Sequence, residues 1–209
     1  MQTKELLLSW INGQSSDDVR GHTLVVRCMD FRHNSMFAGC YEIANAGPRY
    51  CDSIRSIETA FILKANIPLV MFWLSHNEVC GCGKVETNSN DKAAIDHYSD
   101  VKRQEELEQV FSNPKVTTII NSGKLIIVSA TAMFNDSHNL GLRLNIEETN
   151  ELLSKHNLPR LDAIFDYDLT ITFKPMVDII EMARHQGAEG MSPSINGQIE
   201  SMQGVRTAG

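Results

Sequence analysis

The chain runs to 209 residues, 42% of them hydrophobic, which suits a single domain of ordinary globular composition with a proper buried core. A net charge of -7, without a cluster of Lys or Arg, offers nothing to a phosphate backbone or an acidic lipid, so nucleic-acid and membrane partners are set aside and a small molecule is expected. Five cysteines make an odd number for a disulfide framework and read better as metal ligands or thiols, with Cys40 and Cys51 as bystanders.

In chain order, MQTKELLLSWINGQ holds a three-residue leucine run beside Lys4 and Glu5, too short and too polar for a signal-peptide core. No later stretch approaches membrane-spanning length, and a cytoplasmic protein is expected. HTLVVRCMD (22–30) reads as a buried strand, and CYEIANAG (40–47) as a shorter one ending at a turn made by Gly47 and Pro48. Over 52–66, Asp52 or Ser53 can cap a helix in which Ile54, Ile57, Phe61, Ile62 and Ala65 recur at helical spacing. Pro68 opens PLVMFWLSH, an apolar run of strand length that stops at His76. Residues 84–100 are polar and read as surface loop with at most a turn of helix. A charged amphipathic helix over 100–113 is halted by Pro114, and GKLIIVSATAMF (123–134) is another buried strand. Two helices are expected beyond residue 146, at about 147–156 and 175–186, the second with Pro175 at its first position and Gly187 at its end. From 188 the chain is rich in Gly and Ser, the composition of a flexible tail.

Apolar runs alternating with helical segments predict an α/β fold, a mostly parallel central sheet flanked by helices. In such sheets ligands gather beyond the carboxyl ends of the strands, where the strand order reverses. Two clusters fall at strand ends. If the first strand continues past Cys28, then Cys28, Asp30 and Arg32 line one face, because side chains two apart point the same way. The second cluster, SHNEVCGCGK, offers His76, Cys80 and Cys82. Two thiolates and an imidazole form a three-ligand zinc set whose fourth position stays open, as catalytic zinc requires.

These residues resemble the β-class carbonic anhydrases. CMDFR matches that family's Cys-x-Asp-x-Arg strand end through Cys28, Asp30 and Arg32. ANAG (Asn45, Ala46, Gly47) matches its next turn; the family continues with a helix, a hydrophobic strand and a His-x-x-Cys-Gly segment, and here a helical pattern, PLVMFWLSH and SHNEVCGCGK stand in that order. PKVTTIINSGKLIIVSATAMFND looks like the family's last core strand and the turn beyond it, so the resemblance spans about 20–145. It implies a single β-carbonic-anhydrase-like domain over 1–209, with a core at about 20–145, a helical C-terminal extension over 146–187 and the tail at 188–209. It further implies Zn²⁺ held by Cys28, His76 and Cys80, a metal-bound hydroxide that hydrates carbon dioxide reversibly to bicarbonate, and Asp30 paired with Arg32 as the catalytic gate. A homodimer or higher homo-oligomer is implied as well.

The chain departs from the family in two places. Three residues rather than two separate His76 from Cys80, with Gly81 and Gly83 lending the backbone freedom to wrap one ion, and Cys82 stands in reserve as the ligand. Only about twenty residues precede the first strand, where the family carries longer helices, and the last 60 residues have no counterpart. The altered loop and new C-terminal segment leave two other readings, a hydrolase of carbon disulfide or carbonyl sulfide on the same scaffold and a zinc-binding homologue without turnover. Read as a redox dithiol, Cys80-Gly81-Cys82 has an unusual spacing, and Asp166 with Asp168 reads as a strand edge or turn rather than a magnesium site.

Overall fold

The computed structural model describes residues 2–12, 16–28, 37–45, 54, 55, 57, 58, 68–76, 80–134, 139–161 and 169–172, with the backbone alone at 76, 134, 139, 140 and 169–172. The chain divides into the units Met1–Phe173 and Lys174–Gly209, the second of which lies outside the described residues. The helix expected at 175–186 and the tail from 188 fall there too. No described helix is long and apolar enough to cross a membrane.

Helix α1 (Thr3–Ile11) turns Leu6, Leu7 and Trp10 inward, and α2 (Asp17–Gly21) begins at Ser16, whose side chain accepts from the Val19 N–H. Three long strands appear where apolar runs predict them: β1 (Thr23–Cys28), β3 (Leu69–His76) and β4 (Leu125–Phe134). The short β2 (Tyr41–Asn45) lies between β1 and β3 in the chain. Every residue of β1 is buried, as befits a strand covered on both faces. Of the helix expected over 52–66, residues 54, 55, 57 and 58 are helical, and the remainder lies outside the described residues.

The polar stretch 84–100 corrects the loop expected there. It holds α3 (Gly81–Thr87) and the first half of α4 (Lys92–Ser112), which starts where the Asp91 carboxylate accepts from the Ala93 N–H. The inward stripe of α4 is Ile95, Ser99, Arg103, Leu107 and Val110; two polar members disguise it. Pro114 ends α4 but also opens α5 (Pro114–Asn121), where the Asn113 side chain caps the N–H groups of Lys115 and Val116. Beyond β4, β5 (Asn139–Leu144) was not expected; α6 (Ile146–Lys155) stands within a residue of its predicted bounds, and β6 (Leu169–Thr172) puts a strand where 146–187 was read as helical.

The sheet runs β2-β1-β3-β4-β5-β6, parallel from β2 to β4 and antiparallel from there on. This is an α/β architecture. From β1 the chain goes to β2 on one side, whereas β3 leads to β4 on the other, so the order reverses between β1 and β3. On one face α1 covers the sheet: the Trp10 indole N–H donates to Thr23 Oγ1 at 2.7 Å, and its ring meets Phe72 edge-on at 5.6 Å. The opposite face carries Met71, Trp73 and Ser75 of β3 beside Ser129 and Thr131 of β4, and α4 and α6 pack on it.

Candidate metal centre

Cys28 is the last residue of β1 and pairs in register with Asn45, the last residue of β2, so two strands end side by side there. The β1–β3 ladder is resolved as far as Val26↔Trp73; continuing it by two residues brings Cys28 alongside Ser75, immediately before His76. Cys80 immediately precedes α3. Cys28 and Cys80 are both buried and, with Ile95 of α4, form a small cluster separate from the main core, against which Cys82 also packs. Two chain segments thus meet at the point of strand reversal.

Local packing fixes the position of Cys80. A Cβ on Gly83 would stand 2.9 Å from Ile95 Cγ2 and 3.4 Å from Ser99 Oγ, so glycine lets α3 lie close against α4. The backbone freedom expected of Gly81 and Gly83 is not what the fold uses: both are helical, and neither has a positive φ. At the Cys80 sulfur, a hydrogen bond from the Cys28 thiol, helped by the backbone N–H groups of Gly83 and Cys82, outweighs burial and brings its pKa down to about 6. Cys40 contrasts with it. Burial pushes its thiol up to about 12.

The remaining predicted positions divide as follows. His76 ends β3 and pairs with Ala132 of β4, but its side chain lies outside the described residues. Asp30, Arg32 and Cys51 lie outside them too, as do Gly47, Asp166 and Asp168. Among the described residues no three His, Cys, Asp or Glu side chains converge to hold a metal ion. The donor chemistry of the pair suits zinc: two adjacent sulfurs, one drawn toward thiolate, match a borderline-soft divalent cation and not a hard one that seeks oxygen.

Sequence reasoning missed the polar network behind this site. Arg103 is only 2% exposed. Its guanidinium donates to Glu148 at 3.1 and 2.7 Å through Nε and Nη2, and through Nη1 to Asp100 at 2.6 Å, Thr131 at 2.9 Å and Ser75. Burial alone would raise the Glu148 pKa, yet the Arg103 hydrogen bonds and charge, with Gln104 and Ser129, hold it below the ordinary carboxylate range. One cation thereby ties α4 to β3, β4 and α6. The available signals were Ser75, Ser129 and Thr131, polar residues in otherwise apolar strands. A cleft of about 380 Å³ beside the network is lined by Asp100, Arg103, Gln104, Arg143, Asn145 and Glu148 among others, and those polar walls do not suit an apolar substrate.

Comparison with known proteins adds no family: no family model matches the chain, and no curated protein aligns with it.

Proposed function

We propose that the chain is a cytoplasmic zinc lyase of β-carbonic-anhydrase type, a homodimer or higher homo-oligomer that interconverts carbon dioxide and bicarbonate. Support comes from the meeting of Cys28 and Cys80 at the reversal point of a mostly parallel sheet, with the end of β3 beside them. In this reading Cys28, His76 and Cys80 hold the metal. When bound, zinc supplies a Lewis acid that lowers the pKa of water toward about 7.

The rest falls to the side chains. With Cys80 lowered to about 6, that sulfur is available as a thiolate donor at neutral pH without a strong base nearby. Asp30, two residues past Cys28, is assigned to accept a proton-bearing hydrogen bond from the reacting water. Arg32 is assigned to hold the Asp30 carboxylate in a two-pronged grip, keeping it off the metal, a geometry that Lys would not reproduce. Asn45, the last residue of β2 and in register with Cys28, is assigned to shape the edge of the site.

Stopped-flow hydration of carbon dioxide by the zinc-loaded chain tests the reading. Robust hydration is expected, falling about 100-fold or more in Asp30→Asn while zinc stays bound, the scale of a lost acid–base partner. Zinc bound without hydration, or hydration indifferent to Asp30→Asn, would overturn it.

A further inference from the structure

The cluster at the strand ends has a second chemistry that needs no metal. Cys28, Cys80 and Cys82 pack into one patch, the first two buried and Cys82 half-buried, and all three carry thiols. We propose that Cys28 and Cys80 form a modification site for hydroperoxides, closing to a disulfide that couples the two sulfur donors of the candidate metal centre to oxidation. The cross-link itself does not depend on the carbonic anhydrase reading; only its consequence for zinc does.

One sulfur attacks an oxygen of the hydroperoxide, an S–O bond forms as the O–O bond breaks, and the departing alkoxide, or hydroxide from hydrogen peroxide, takes up a proton to leave as an alcohol or water. The resulting sulfenic acid is attacked by the second sulfur, the S–O bond breaks, and hydroxide leaves with a proton as water. Two thiols have lost two electrons to one peroxide bond.

Geometry selects the pair among the described cysteines. Cys28 and Cys80 come from different segments and lie together with Ile95 in one buried cluster. Linking Cys80 to Cys82 would close a ring across the single residue Gly81 and distort the first turn of α3. Cys40 packs against the main core instead and serves as an internal reference.

The test treats the full-length chain, first stripped with a chelator and then zinc-loaded, with hydrogen peroxide, followed by tryptic mapping without reduction. In the stripped chain the expected product joins the peptide CMDFR (28–32) to residues 65–84, with fragment ions on either side of Gly81 assigning the bond to Cys80, and a dithiol reductant reverses it. Loaded zinc should slow the reaction. A first product joining Cys80 to Cys82 or involving Cys40, or sulfinic acid at Cys80 with Cys28 still a thiol, would overturn the proposal. If the cross-link forms but zinc never binds, the inference stands and the lyase reading falls; if zinc binds and no cross-link forms on stripping, the reverse holds.

Discussion

Cys28→Ser is expected to strip zinc from the chain, from about one equivalent to near none after dialysis, and His76→Ala to do the same, because three protein donors leave no redundancy. Cys82→Ser should keep its metal. The contrast follows from placement: Cys80 is buried together with Cys28, whereas Cys82, two residues on in α3, is half-buried and borders that cluster. Serine is nearly the size of cysteine, so the buried patch with Ile95 persists and the chain folds. Metal analysis of the dialysed variants decides the matter. Loss of zinc in Cys82→Ser with retention in Cys80→Ser would exchange the two cysteines, and retention in Cys28→Ser would remove the first strand from the site altogether.

Arg103→Met should cost about 3 kcal/mol of stability, at the low end of the range for breaking a buried ion pair because Glu148 keeps some contact with water. Methionine fills the space of the arginine stem but leaves Glu148, Asp100, Ser75 and Thr131 without the donor they share. The pH dependence has a definite sign. Since the native Glu148 pKa is lowered, its contribution is complete above the ordinary carboxylate pKa and is lost as pH falls through the depressed value. The gap between the parent chain and Arg103→Met therefore narrows in acid, where a protonated Glu148 no longer needs a cation. Urea midpoints at neutral and acidic pH check this. A loss under about 1 kcal/mol at neutral pH would make the network no stronger than a surface pair.

The legible parts of this chain are those where burial and sequence period agree. β1, β3 and β4 are continuous apolar runs, and being covered on both faces they could hardly be anything but central strands. Cys28 was legible as a candidate because it ends an apolar strand, and Cys80 because it follows shortly after another in an α/β pattern. What stayed hidden was hidden for physical reasons. The inward stripe of α4 contains Ser99 and Arg103, so its face looks polar until the partners of Arg103 are known, and those partners sit on other elements. Pro114 reads as a stop and is equally a start, since the first helical position needs no N–H. β5 and β6 are short antiparallel additions at the sheet edge, and Gly141 interrupts the apolar pattern of the first. Gly83 looked like freedom in a loop and proved to be clearance between two helices.

In the proposed reading, sulfur donors from two separate segments hold one zinc ion, and X-ray absorption at the zinc edge of the zinc-loaded chain reads them out. Two sulfur neighbours at about 2.3 Å are expected, with nitrogen or oxygen completing four-coordination, and one sulfur fewer in Cys80→Ser if that variant keeps any zinc. A first shell of nitrogen and oxygen alone, or a sulfur count unchanged by Cys80→Ser, would contradict that reading.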